Sequence, residues 1–163
     1  MLPDYFRNYP DEPEELKVSN AIARQIDGFG FRYYWALYDL REEDCAYRIS
    51  DDGKSIADLI QHIWGLINWV HVHVYGETMS HPENILERGA KTLCGAEKLR
   101  KSFAQMADSD LQKLKLEGNS FWAYINMPLS DAIHHSGQVS IMRRGAGNPW
   151  KMDEFLFGKK KEK

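Results

Sequence analysis

The chain has 163 residues, of which 43% are hydrophobic and 28% are charged; this is the size of one compact domain with a buried core. Its 21 Lys and Arg residues are balanced by 24 Asp and Glu residues, for a formal charge of -3, so no excess of positive charge exists to neutralise a nucleic-acid backbone. We therefore expect one domain over residues 1–163, with short flexible ends at 1–13 and 158–163, and no nucleic-acid partner.

The sequence also lacks the signals of membrane insertion and export. No stretch approaches the roughly 18 consecutive apolar residues that cross a bilayer, and the segment from Met1 to Phe6 has no basic region followed by an apolar run. Cys45 and Cys94 do not have the C-x-x-C spacing of zinc or redox sites. We expect a cytoplasmic protein with two buried thiols and no membrane partner.

The first predicted element is a helix over 14–40, preceded by an extended lead-in whose three prolines disfavour a helix. The apolar residues of this helix recur at intervals of three and four, as on one face of a helix. They are Leu16, Ile22, Ile26, Phe29, Tyr33, Leu37 and Leu40.

The second predicted helix covers 55–75. Ser55 followed by Asp58 three residues later matches a capping box, and Gly76 is placed to end the helix. Two apolar rows on this helix indicate burial over a wide face, and His62 lies within the second row.

The third and fourth helices are predicted over 92–107 and 128–144, with Pro128 in the first turn of the fourth. The segments 76–90 and 111–126 contain turn residues or lack a clean period, which favours irregular connections. Four helices without paired strands indicate an all-α fold, a four-helix bundle.

A candidate site lies on the fourth helix. Asp131 is one turn before His135 on the same inward-facing side, whereas His134 faces outward. His62 projects from the buried face of the second helix. Two imidazoles and a carboxylate on facing helices form a suitable ligand set for a divalent metal ion. Gln138, one turn after His135, is placed to contact a ligand or the substrate.

Two residues of this set, Asp131 and His62, also have a purely structural interpretation, which the sequence leaves open. Asp131 in the first turn of a helix fits a residue that complements the helix dipole and binds free N–H groups. His62 on an apolar face fits a core histidine with satisfied hydrogen bonds.

The other polar candidates favour structural positions. His71 and His73 point to different sides of a helix and fit solvated or pocket-rim positions, and His81 lies in a loop before a proline. Arg143 and Arg144 end the fourth helix, where cations complement the helix dipole rather than bind an anion.

The order and spacing of three segments resemble the DinB/YfiT-like superfamily of metal-binding four-helix bundles. These segments are Ser55–Ile63, then His135–Val139 with its His-x-Gly-Gln motif, and then Arg143–Pro149 with its Arg-Arg-x-x-Gly-Asn-Pro motif. The resemblance covers roughly residues 15–150.

This resemblance implies an up-down-down-up four-helix bundle with a divalent metal ion held by three side chains. The ligands fall on His62, Asp131 and His135, where relatives usually have histidine at the position of Asp131. Two histidines and one carboxylate favour Fe(II) or Mn(II) over Zn(II). The candidate ions are Zn, Ni, Fe and Mn. The change of a histidine to Asp131 is equally compatible with a loss of tight binding.

Some proteins of this superfamily are transferases that use low-molecular-weight thiols. The leading hypothesis is therefore a metal-dependent transferase or hydrolase that acts on a small molecule, with such a thiol as a second cofactor. The alternatives are a metal-binding or small-ligand-binding protein without turnover, and a structural dimer with a vestigial site. The sequence selects no substrate.

Relatives often dimerise, and the first helix carries a run of aromatic residues on all sides of a turn. This run predicts a homodimer interface; packing of the same rings over the core, against Trp69 and Trp150, is the alternative. The residues are Phe31, Tyr33, Tyr34, Trp35 and Tyr38.

Overall fold

The computed structural model describes residues 1–150 and the backbone of two short strands. The fold is all-α. Its helices in chain order are α1 (Val18–Leu37), α2 (Ile56–Tyr75), α3 (Ile85–Gln105), α4 (Asp108–Leu111), α5 (Trp122–Tyr124) and α6 (Ser130–Gly145). Single 3-10 turns cover Asp4–Phe6 and Glu42–Ala46, and a π-helical turn covers Ile125–Leu129.

The two strands form one small antiparallel pair near the end of the chain. β1 (Phe155–Leu156) pairs with β2 (Lys159–Lys160). With two residues per strand, this pair does not change the fold class, which is all-α. The predicted flexible end at 158–163 lies outside the described residues, except for the backbone of β2.

The long helices pack around one core, because α1 and α2 each pack against both α3 and α6. The intervals of three and four that predict these helices recur in the buried residues. These are Ile22, Ile26, Phe29 and Tyr33 on α1, Ile56, Ile60, Ile63 and Ile67 on α2, Leu93, Ala96, Leu99 and Phe103 on α3, and Ala132, Val139 and Met142 on α6. Among the described helices, none combines the length and the apolar character that a bilayer span needs.

The predicted ends of α2 are confirmed. The Ser55 hydroxyl accepts a hydrogen bond from the Asp58 N–H at 3.1 Å, and the Asp58 carboxylate accepts one from the Ser55 N–H at 2.8 Å. At the other end, Gly76 has φ of 74°, a left-handed conformation that favours glycine. Local chemistry therefore determines both ends of this helix.

The start of α3 was predicted too late, at residue 92. The helix begins at Ile85, after Asn84 accepts a hydrogen bond from the Glu87 N–H at 2.9 Å. In the sequence, Gly89 suggests a turn between helices. In the structure it is buried inside α3, where a Cβ atom would lie 2.8 Å from the Leu37 side chain. The glycine thus permits close packing of α3 on α1 instead of a turn.

The other helix boundaries differ by a few residues. α1 is shorter than the predicted 14–40 helix at both ends, and Asp39 just beyond it has φ of 60°. Pro128 lies in the π-helical turn that leads into α6 and not in the first turn of α6.

The N-terminal segment is not extended throughout. Phe6 lies in a 3-10 turn and is fully buried. Its ring packs so closely on Gly30 of α1 that a Cβ atom at Gly30 would lie 2.4 Å from the ring. The start of the chain therefore contributes to the core.

The aromatic run of α1 is mostly buried within the chain. Phe31, Tyr34 and Trp35 are at most 7% exposed. Trp35 stacks on Trp150 with ring centroids 4.7 Å apart. Packing over the core, through Trp150, therefore accounts for the burial of most of these rings. Tyr38 is the exposed member of the run.

The two cysteines differ in environment. Cys45 is buried as expected, and burial raises the pKa of its thiol to about 11. Cys94 on α3 is exposed, so the expectation of two buried thiols is wrong for this residue.

Arg143 near the end of α6 is only 2% exposed, and its guanidinium binds the end of another helix. Its Nη1 atom donates to the carbonyl oxygens of Trp35 and Ala36, each at 3.1 Å, and of Tyr38 at 2.7 Å. These carbonyls lie at the C-terminus of α1, where helical partners are missing. The structural interpretation of Arg143 is correct, but the helix that it caps is α1 and not its own.

The remaining donors of Arg143 bind Asn148, through Nε to the backbone oxygen at 2.8 Å and through Nη2 to the side-chain oxygen at 3.0 Å. Asn148 in turn donates to the Asp44 carboxylate at 2.7 Å. Hydrogen bonds from Arg41 and Asn148 lower the pKa of Asp44 to about 2. A connected polar network therefore joins α1, α6 and the 3-10 turn Glu42–Ala46.

We expect Arg143→Ala to lower the free energy of unfolding by about 3–5 kcal/mol, because it leaves buried carbonyl groups without donors. The neighbouring Arg144 is exposed, so Arg144→Ala changes stability by less than about 0.5 kcal/mol. Urea unfolding followed by circular dichroism measures both. Equal effects of the two substitutions would contradict this account of the cap.

Candidate metal centre

The predicted site residues come together between α2 and α6. His62 projects from α2, and Asp131 and His135 lie one turn apart on α6, which packs against α2. One nitrogen of each imidazole and one carboxylate oxygen lie within 4.8 Å of one another. Residues separated by 69 positions in the chain thus form one cluster.

Each oxygen of the Asp131 carboxylate faces a different imidazole. The Oδ2 atom is 3.3 Å from His62 Nε2, and the Oδ1 atom is 3.4 Å from His135 Nε2. The two imidazole rings meet edge to face, with centroids 4.7 Å apart and an interplanar angle of 82°. One nitrogen of each imidazole therefore lies within 3.4 Å of the same carboxylate.

Gln138 fixes the proton on His135. Its Oε1 atom lies 2.6 Å from His135 Nδ1, and because a carbonyl oxygen only accepts, the Nδ1 atom must carry the hydrogen. The Gln138 amide group in turn donates to His134 Nε2 at 3.2 Å. A hydrogen-bonded chain from His134 through Gln138 to His135 therefore directs His135 Nε2 toward Asp131.

This orientation places two acceptors face to face. With its hydrogen on Nδ1, His135 has a lone pair on Nε2, and this atom lies 3.4 Å from Asp131 Oδ1. Two acceptors at this separation repel each other unless a proton or a cation lies between them. The cluster thus favours a positive charge at its centre.

The donor set fits a divalent metal ion. Imidazole nitrogen and carboxylate oxygen are ligands for Zn, Fe, Mn and Ni. Two bonds of about 2.1 Å that meet at a tetrahedral centre separate their ligand atoms by about 3.4 Å. Each imidazole nitrogen lies near that spacing from one carboxylate oxygen, at 3.3 Å from Oδ2 for His62 and 3.4 Å from Oδ1 for His135, and one ligand atom from each of the three residues lies within 4.8 Å of the others.

The cluster is only partly buried. The side chain of His135 is 14% exposed, and those of His62 and Asp131 are 37% and 40% exposed. The expectation that His62 projects from the buried face of α2 is therefore wrong, and so is its interpretation as a core histidine. His62 lines an open groove of about 480 Å³ along α2, with Trp69 at the same groove.

Asp131 does not cap α6. The π-helical turn runs directly into this helix, and Leu129 at its start provides no side-chain cap hydrogen bond. Within residues 1–150, the polar contacts of the Asp131 carboxylate are with His62 and His135. Asp131 does lie in the first turn of α6, as the dipole interpretation requires, but no backbone N–H of the described residues donates to its carboxylate.

The other histidines make separate contacts. His71 is buried and donates from Nδ1 to the Glu77 carbonyl at 2.8 Å, so the solvated position predicted for it is wrong. His73 donates to the carbonyl oxygen of Trp69 at 2.9 Å. The loop residue His81 is exposed, with Nε2 3.3 Å from the side-chain oxygen of Gln61.

The outward-facing position predicted for His134 is correct, but the sequence interpretation gives this residue no role in the site. His134 is exposed, yet it holds the Gln138 amide in the orientation that His135 requires. The spacing of four between His134 and Gln138 was the available signal, because residues four apart on a helix are neighbours.

The part of the chain that the structure describes contains one group of three potential metal ligands, the cluster of His62, Asp131 and His135. Its assignment rests on this geometry and on the motifs of the sequence. No family model, curated protein or solved structure matches the chain.

Proposed function

We propose that this chain is a metal-dependent enzyme of the DinB/YfiT-like kind, which holds a divalent ion with His62, Asp131 and His135. One observation carries the proposal: two imidazole nitrogens and a carboxylate oxygen from two helices lie within 4.8 Å of one another. The ion is Zn, Ni, Fe or Mn, and a set of two histidines and one carboxylate favours Fe(II) or Mn(II).

The proposal includes the up-down-down-up four-helix bundle that the sequence motifs imply. In its support, α1 packs against both α3 and α6, and so does α2. Each of these two helices therefore has α3 on one side and α6 on the other. The motif residues Arg143 and Asn148 form the hydrogen-bonded cap at the end of α1. These two residues of the motif thus have a structural role in this fold.

The residues of the chain bind and orient, and the ion supplies the chemistry. A divalent ion lowers the pKa of a bound thiol or water and so provides a nucleophile at neutral pH. His62, Asp131 and His135 hold it, and Gln138 keeps the hydrogen of His135 on Nδ1. Partial exposure of His62 and Asp131 leaves room for a small molecule at the same place.

This assignment favours a transferase or hydrolase that uses a low-molecular-weight thiol or water. A metal-binding protein without turnover and a chain with a vestigial site are the outcomes that the experiments below distinguish. The homodimer has no supporting observation, because the aromatic run that suggested it is mostly buried within the chain.

We expect the purified protein to bind about one equivalent of divalent metal. His62→Ala and His135→Ala should weaken binding more than about 100-fold, since even the loss of a residue that orients a ligand costs 10-fold to 100-fold. Asp131→His should keep or tighten binding. Elemental analysis and calorimetric titration with Zn(II), Ni(II), Mn(II) and Fe(II) provide the measurement.

The matched control for these variants is His81→Ala, which removes an exposed imidazole outside the cluster and should leave metal binding unchanged. Equal metal content in the native chain, His62→Ala, His135→Ala and Asp131→His would show that the site is elsewhere. If no divalent metal binds to the native chain, the vestigial site is the correct interpretation.

Gln138 gives a second prediction, because its oxygen orients His135. Gln138→Leu removes this acceptor and should weaken metal binding by about 10-fold to 100-fold. Gln138→Glu retains an acceptor oxygen and should bind metal more tightly than Gln138→Leu does. Calorimetric titration of both variants checks this order, and equal affinity would mean that the contact with His135 has no effect on the ion.

Turnover is the third prediction for the site. With a panel of small thiols and an activated aryl chloride, the thiolate displaces chloride, and chloride release measures the rate. We expect saturation with the thiol, loss of activity on chelation, and recovery after metal is restored. A chain that binds metal tightly but gives only the uncatalysed rate with every thiol and with water is a binding protein.

A further inference from the structure

A second cavity lies beside His135. It has a volume of about 480 Å³ and lies between the loop before α2, α2 itself and α6. Its buried wall is formed by Leu59 and Met142, which are 2% and 3% exposed, and its outer wall by Ile49 and Ile141. This volume lies within the range of about 300–1,000 Å³ that small-molecule sites occupy.

The outer wall is unusually exposed for its residue type. Ile49 is 71% exposed and Ile141 is 61% exposed, and they come from different elements yet border the same cavity. Apolar surface that faces water is costly, and a ligand with an apolar body would remove both side chains from water. The walls therefore favour an apolar ligand over a sugar or a nucleotide.

One positive charge lines this cavity, on Lys54. Within the described residues, its ammonium group makes no ion pair or hydrogen bond with another side chain. The nearest acid along α2, Asp58, is already held by Arg48 at 3.1 Å, and neither Asp51 nor Asp52 lines the cavity. A single ammonium beside apolar walls matches a single carboxylate better than a doubly charged phosphate.

We infer that this cavity binds a small monocarboxylate with an apolar body. The body lies against Ile49 and Ile141, and the carboxylate pairs with Lys54. Binding of such an acid does not depend on a metal ion. Its role as the substrate class rests on the function proposed above, because His135 and Gln138 line the same cavity.

Octanoate and the uncharged octanol are suitable probes, titrated by calorimetry into the chelator-treated full chain. The native chain should prefer octanoate by about two-fold to five-fold, the range of an exposed ion pair. Lys54→Gln should abolish this preference and leave octanol binding unchanged. Circular dichroism confirms that the variants fold.

Lys91→Gln is the matched control, because Lys91 is an exposed lysine of α3 that lines a different cavity of about 650 Å³. It should retain the preference for octanoate. For the apolar wall, Ile141→Ser should weaken both probes by about five-fold or more. Leu16→Ser, at a position that is fully exposed, should weaken neither.

Three results would overturn this inference. They are equal affinity of the native chain for the two probes, loss of the octanoate preference in Lys91→Gln instead of Lys54→Gln, and absence of saturable binding below about 10 mM. The same titration in His62→Ala separates this inference from the proposed function. If octanoate binds but neither the native chain nor any variant takes up metal, the proposed metal-dependent function is wrong and the proposed monocarboxylate site is retained.

Discussion

The guanidinium of Arg143 holds the end of α1 and thereby fixes where α6 lies. The last carbonyl groups of a helix have no helical partners, and at the end of α1 two of them belong to the buried residues Trp35 and Ala36. A planar group with five donors can serve several of these carbonyls and Asn148 at once. Burial lowers the pKa of Arg143, yet arginine stays protonated in proteins, so the cap remains charged.

The candidate site depends on this anchor. Arg143 and His135 lie eight positions apart on α6, which is about 12 Å along a helix. Because α1 holds the C-terminal end of α6, the N-terminal half of α6 is restricted in how far it can shift against α2, on which it also packs. In this arrangement Asp131 Oδ2 lies 3.3 Å from His62 Nε2. The network of Asp44, Arg41 and Asn148 strengthens the same anchor, because it connects Asn148 to the 3-10 turn beyond α1.

Features set by neighbours in the chain were predictable from the sequence, and those set by packing were not. The capping box of Ser55 and the convergence of Asp131 with His135 depend on spacings of three and four, so the sequence contains them. The start of α3 does not follow from Gly89 alone, because the glycine is required by contact with Leu37 of another helix. Similarly, the buried fraction of the aromatic rings depends on Trp150, far along the chain.

The exposure of His62 is also set by packing and not by its neighbours in the chain, and it has a chemical consequence. Its position in an apolar row suggests burial, but the row runs along the edge of α2, where a groove keeps the ring partly in water. A carboxylate in the centre of the core would carry a large desolvation cost. At the edge this cost is smaller, and water or a ligand can reach the cluster from the groove beside His62 and from the cavity beside His135. A cation between Asp131 and the two imidazoles would thus be held by α2 and α6 while its other side faces small molecules, which is the arrangement that turnover requires and that a purely structural ion does not.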